Sequence, residues 1–335
     1  MSRILHLLAR SIAVLALIAA AAAAIAVWWV RQPLPLPVSP FTFDVKAGAS
    51  LKSVARELAG AGVLPNEVAL VALARLKRAD RTIKAGNYEV ATGITLTQLL
   101  GKLTHGDVTQ SGLTVPEGAT FEDLRGALVA DREIAKTVLD LPSAELASKI
   151  GIPGSSLEGW FFPDTYFFAT GSTDIALLER AHRLMRSRLD DAWAKRAADL
   201  PLTEPYQALI LASIVEKETG RAADRPLIAS VFVNRLRLGM RLQSDPTVIY
   251  GLGAKFDGNL RKRDLETDSP YNTYLREGLP PTPIALPGQA ALEAVMNPPK
   301  TPFLYFVARG DGASEFSTNL ADHNRAVAKF QLGQR

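Results

Sequence analysis

Cysteine is absent from the 335-residue sequence, which excludes disulfide frameworks, thiolate metal sites and cysteine nucleophiles. Histidine is scarce. His6, His105, His182 and His323 lie far apart without HExxH or comparable spacing, so no metal site is expected. Net charge is small, at +4, and the arginines are scattered rather than gathered into one basic block, which argues against a nucleic-acid surface. Two local absences say more. No acidic residue precedes Asp44, and no charged residue interrupts Ser11 to Val30.

A helix of about 20 uncharged residues, rising 1.5 Å per residue, is long enough to cross the hydrocarbon core of a bilayer. Arg3 and Arg10 precede it, so the positive-inside rule places residues 1–10 in the cytoplasm, residues 11–30 across the membrane and the remainder outside. Trp28 and Trp29 then fall at the outer interface, where indole rings prefer to sit. The alanine run also offers sites for signal-peptide cleavage. Because the apolar run continues through Val27 to Val30 beyond them, a retained anchor is the expectation.

What is present fits a globular protein: 47% of residues are hydrophobic and 21% charged, with length enough for two domains besides a tail. Residues 31–40, RQPLPLPVSP, form a stiff proline-rich spacer. Residues 41–108 begin as strand, helix, helix, strand: Ser50 caps a helix carrying Leu51, Val54 and Leu58, Asn66 opens the second, and AGNYEV returns as a strand before ITLTQLLGKLTHGDV gives a further helix. Residues 109–154 connect through a strand, a turn and a helix opening at Thr120. The reading is an α+β chain: one N-terminal transmembrane helix, a small βααβ module, and a mixed α+β domain over 155–335.

The chemistry-bearing segments lie in that last part. SLEGWFFPDTYFF concentrates aromatic rings, and Trp160 and Tyr166 could stack on pyranose faces or pack in a core. ALILASIVEKETG reads as a buried helix from about Glu204 to Thr219, with Thr203 as cap, and its last turn carries Glu216 and Glu218. Carboxylates there meet the negative end of the helix dipole, and burial adds a desolvation cost; both favour the protonated form a general acid needs. At 100° per residue the two glutamates point about 160° apart. They cannot act as one pair, and geometry alone does not choose between them. A second helix follows, capped by Asp224. MRLQSDPTVIYG then reads as a strand and turn bearing Gln243, Ser244, Asp245 and Thr247, polar groups suited to sugar hydroxyls. The long segment TDSPYNTYLREGLPPTPIALPGQAALEAVMNPP reads as an ordered loop presenting Tyr271, Asn272 and Tyr274, and the chain closes as a hairpin and helix.

The blocks LEGWFFPDTY, ASIVEKET, SVFVNRLRLGMRLQSDPTVIYG, SPYNTY, GLPPTPIALPG and TPFLYFVARGDGASEFSTNLADHN resemble the signature blocks of the YceG-like endolytic murein transglycosylases. Residues 41–108 are similar to a LysM module, a fold that binds glycans containing N-acetylglucosamine. The resemblance implies a lyase of the bacterial inner membrane, with its catalytic part outside the cytoplasm. Such an enzyme cuts the β-1,4 bond between N-acetylmuramic acid and N-acetylglucosamine within peptidoglycan strands, leaves 1,6-anhydro ends and needs no cofactor. It implies Glu218 as the catalytic residue. The substrate-binding candidates are Glu216, Trp160, Tyr166, Gln243, Asp245, Tyr271, Asn272, Tyr274 and, from the last block, Asn319, His323 and Asn324. Peptidoglycan strands are the expected partner, with a peptidoglycan synthase as a candidate neighbour and no nucleic acid. One carboxyl suffices for the reaction; Asp245 is the best second carboxylate and keeps a muramidase-type hydrolase as the alternative. A non-catalytic glycan-binding scaffold is the other.

Overall fold

The computed structural model describes residues 2–46, 48–106, 110–331 and 333. The chain is mixed α and β and divides into two compact units: 1–111 with 168–171, and 112–167 with 172–335. The expected boundary between residues 108 and 109 lies outside the described residues.

In the first unit, α1 (Ser2–Val30) is a continuous apolar helix whose Ala13–Val30 stretch is long and apolar enough to cross a membrane and is not buried by protein. β1 (Phe41–Val45), α2 (Leu51–Gly60), α3 (Glu67–Leu76) and β2 (Gly86–Val90) follow in the βααβ order read from the sequence. The strands pair antiparallel, Phe43 opposite Tyr88. Ser50 and Asn66 cap their helices through side-chain bonds to the Ser53 and Ala69 amides, satisfying donors that a helix start leaves open. α4 (Leu96–His105) opens on a Thr95–Gln98 capping box. Leu58, Leu70, Tyr88, Leu99 and Leu103 share this unit's core.

The second unit starts in β3 (Gln110–Thr114), where Val115 N bonds Asp164 O and so aligns the strand with β4 (Thr165–Ala169). Between them lie α5 (Phe121–Ala130), capped by Thr120, and α6 (Ser143–Ile150). The long α7 (Asp174–Ala194) leads to α8 (Pro205–Glu218), whose residues 208–215 are all buried. α8 packs against α7, α9 (Arg225–Arg237), α10 (Asp245–Leu252) and, beyond the short α11 (Lys262–Leu265), α12 (Gln289–Met296). The hairpin β5 (Tyr305–Ala308) and β6 (Ser314–Ser317) with α13 (Leu320–Phe330) completes the unit.

Four local expectations are corrected. Residues 245–252 are helical, not a strand and turn: Asp-Pro in the first turn suits a helix start, and this outweighs the strand preference of Thr, Val, Ile and Tyr. QAALEAVM, read as loop, is the helix α12, as its Ala, Leu, Glu and Met content favours. Glu204 rather than Thr203 occupies the α8 cap position, and Asp224 flanks α9 without a capping bond because its carboxylate accepts from the Ser314 amide.

Candidate active site

Why a core helix ends in two glutamates becomes clear from where their side chains go. Glu216 turns inward, 5% exposed, and meets the Arg225 guanidinium at 3.2 Å. Its other oxygen accepts from Gly288 N at 2.9 Å, joining α8 to α9 and to the start of α12. Glu218, about 160° around the helix from it, turns into a cavity of about 500 Å³. The two carboxylates share no partner.

Ser244 Oγ donates to Glu218 Oε1 at 2.5 Å. The Glu218 carboxyl is pushed up from 4.5 to about 7, chiefly because its surroundings desolvate the charged form; the Asp245 carboxylate adds to the rise, while the Ser244 hydroxyl and Arg235 oppose it. Half of such groups therefore carry a proton at neutral pH, a state in which one carboxyl can both give and take a proton.

Backbone geometry delivers Ser244. Gln243 has φ +49°, a left-handed conformation uncommon for a residue with a side chain, and its amide donates to Thr273 O at 3.1 Å. Ser244 N in turn donates to Thr273 Oγ1 at 3.0 Å, and Thr247 Oγ1 lies 2.8 Å from the same hydroxyl. The start of α10 is thus tied to the 271–274 loop before any ligand arrives.

Arg235, buried on α9, stiffens the opposite wall. Its guanidinium donates to Leu304 O at 2.7 Å and Leu242 O at 2.8 Å, and lies 5.0 Å over the Tyr305 ring. His323 stacks on the same Tyr305 ring at 5.2 Å, and burial with the nearby Arg235 charge holds its imidazole below the usual pKa, which favours the neutral form. Tyr274 Oη donates to Asp245 Oδ1 at 2.5 Å.

The structure therefore gathers six of the sequence candidates around one cavity: Glu218, Gln243, Asp245, Tyr274, His323 and Asn324. The others sit elsewhere. Trp160 is 7% exposed, stacked on Tyr206 at 5.4 Å, and Tyr166 is 5% exposed, bonding Phe162 O. Asn272 is fully buried and holds its own loop through Leu265 O, Thr267 O and Tyr274 N, while Asn319 caps α13. Tyr271 bonds Thr282 at 2.9 Å. Sequence reasoning left out Arg235 and Tyr305 and named Ser244 only in passing; a serine directly before Asp-Pro was the one signal for its place at the helix start. Among the described residues no group of three or more His, Cys, Asp or Glu is placed to hold a metal.

Known proteins resemble this chain along most of its length. An endolytic murein transglycosylase of Bacillus subtilis (strain 168) is 33% identical over 304 residues, covering 86% of this chain and 84% of that protein. One of Streptococcus pneumoniae serotype 2 is 29% identical over 323 residues, 86% of this chain but 58% of the relative. A crystal structure of a YceG-like protein from Listeria monocytogenes matches with a TM-score of 0.55 at 30% identity, over 86% of this chain and 99% of that one. The model of the YceG-like family spans residues 43–329, and the chain belongs to that family.

Proposed function

We propose that this protein is an endolytic lytic transglycosylase of peptidoglycan, and that Glu218 is its catalytic acid and base. The observation that carries the reading is a cavity-facing carboxyl at a helix C-terminus, raised to about 7 and held by the Ser244 hydroxyl, while the other carboxylate lining the cavity, Asp245, is engaged by Tyr274. Protonated Glu218 donates to the glycosidic oxygen as the bond to the anomeric carbon of N-acetylmuramic acid breaks. The resulting carboxylate takes the proton of that sugar's own C6 hydroxyl, whose oxygen closes on the anomeric carbon. A 1,6-anhydro end and a free 4-hydroxyl result, the enzyme regains its proton, and no water is consumed.

Gln243, Tyr274, His323 and Asn324 are the polar groups that hold sugar hydroxyls and acetamido groups along the cavity. Glu216 positions the end of α8 through Arg225 and Gly288. Asp245, engaged by Tyr274, raises the Glu218 pKa instead of activating water. Residues 41–108 serve as a LysM-like module that engages strands without chemistry, and residues 155–335 carry the catalysis. α1 is a retained anchor in the inner membrane, with residues 1–10 cytoplasmic and the chain from residue 31 onward outside, where a peptidoglycan synthase supplies new strand.

Digestion of uncrosslinked glycan in ¹⁸O-water by the full chain in detergent tests the reaction. Ends lighter by one water and free of label are expected. Labelled reducing ends would make the protein a hydrolase and Asp245 its base.

A further inference from the structure

A second cavity, of about 790 Å³, lies against the other flank of α10, and nothing in the cutting step uses it. Pro246, Ile249, Tyr250 and Gly253 line it at helical spacing, one stripe of a helix whose buried face is Thr247 and Val248. Consecutive residues tie it to the first cavity. On α8, Lys217 lines the second cavity and Glu218 the first; on α10, Pro246 lines the second and Asp245 the first. Neighbouring Cα atoms stand about 3.8 Å apart, so the two cavities flank the same end of α8 and the same start of α10.

The wall is built before a ligand arrives. Tyr250 Oη donates to Glu158 Oε2 at 3.1 Å, and its ring meets Tyr271 edge-on at 4.9 Å. Glu158 is 5% exposed and accepts from Phe121 N at 3.0 Å; burial pushes its carboxyl up to about 7, so the floor is close to neutral. The next residue, Gly159, has φ +82°, and a Cβ there would lie 2.5 Å from Pro283, which fixes the chain where Glu158 leaves it. At the rim the exposed Lys217 spends one of its three ammonium donors on Gly118 O, at 3.1 Å. Glu122, also at the rim, is engaged by Arg125 at 3.7 Å.

A sugar ring, with hydroxyls around its edge, needs convergent polar groups. This wall offers an apolar stripe, one cation, and polar groups that are scattered or already engaged: Thr120, Glu158 bonded by Tyr250 and Glu122 paired with Arg125. In peptidoglycan the matching chemistry is the lactyl-peptide arm of muramic acid, which starts with two methyl groups, those of the lactyl ether and of alanine, and then presents a free carboxylate. We propose that the second cavity binds this arm on the muramic acid next to the cut bond, its methyl groups on the Pro246–Ile249–Tyr250 stripe and its carboxylate at Lys217. The proposal rests on the assignment of the Glu218 cavity as the cutting site.

The test measures affinity, not turnover. Full-length Glu218→Gln protein in detergent is titrated with two glycan probes of equal length, one bearing peptide arms and one whose peptides an amidase has removed, leaving only the lactyl group. The peptide-bearing probe binds more tightly. Ile249→Asp weakens it about tenfold, down to the stripped probe, because about 1.4 kcal/mol of apolar contact is lost. Lys217→Gln weakens it severalfold and reduces its salt dependence, and both changes weaken the stripped probe, which keeps only the lactyl group, less. Ile249→Ala, the milder truncation, gives the same selective loss in a chain of parental melting temperature. Equal affinity of the parent for both probes, or equal weakening of both by Ile249→Ala, overturns the proposal. Failure of the cutting-site assignment shows separately, as undiminished cleavage by Glu218→Gln.

Discussion

Two glutamates two positions apart on α8 respond to the same isosteric change with stability shifts of opposite sign. Glu216→Gln removes the charge that faces the buried Arg225, whose side chain is 10% exposed, and breaking a buried pair from one side costs about 3–5 kcal/mol. Glutamine can still accept from Gly288 N, so the lower end, about 3 kcal/mol, applies. In a domain of 150–250 residues that lowers Tm by about 6–12 °C. Glu218 behaves the other way. Its pKa is about 7 in the folded chain against the ordinary 4.5 of a solvated glutamate, so the folded state keeps a proton that the unfolded state loses between those values. Stability contributed by that proton is complete below pH 4.5 and is lost as pH rises to about 7. Full burial would make the loss about 3 kcal/mol; contact with cavity solvent reduces it to about 1–2 kcal/mol. Glu218→Gln removes the penalty, so at pH 8 its Tm equals or exceeds the parent's by a few degrees. Thermal unfolding followed by circular dichroism at pH 5 and pH 8 reads both variants. The reasoning fails if Glu216→Gln melts with the parent, or if Glu218→Gln is the less stable of the two at pH 8.

Three further outcomes follow from the same geometry. kcat/KM falls as pH rises through about 7; Asp245→Asn, which removes a like charge, moves that limb to lower pH, and Ser244→Ala, which removes a donor to the carboxylate, moves it to higher pH, whereas an unmoved limb in both would disconnect these residues from Glu218. Gln243→Gly loses a group that holds the sugar but accepts the left-handed backbone and melts with the parent, while Gln243→Val, strained there by about 1–2 kcal/mol, melts a few degrees lower; equal melting temperatures would remove the backbone argument. A reporter active only outside the cytoplasm, fused after Pro40, gives signal in the membrane fraction, and a shortened soluble product would show cleavage of α1 instead.

The βααβ order, the caps at Ser50, Asn66 and Thr120 and the core helix ending in glutamates were legible because each depends on residues within one or two turns. The 160° divergence of Glu216 and Glu218 was legible for the same reason. Which of the two faces a cavity was not, since that depends on Arg225, Gly288 and Ser244, all on other segments. Arg235 reads in sequence as one of several basic residues closing α9; only the carbonyls of 241–242 and 304, brought beside it by the fold, make it a buried strut. Trp160 and Tyr166 illustrate the converse. Aromatic residues suit both sugar stacking and a core, and their 7% and 5% exposure places these two in packing. The α10 segment misled because β-branched residues were weighed above the Ser-Asp-Pro start.

The central claim is that one carboxyl performs both proton transfers, and the most direct measurement is single-turnover cleavage of uncrosslinked glycan by Glu218→Gln beside the parent, with folding verified by melting temperature. Glutamine keeps the size and the bond from Ser244 but has no proton to give the leaving oxygen, so cleavage drops at least 100-fold while strand binding persists. Cleavage by the folded variant at the parental rate would contradict the account.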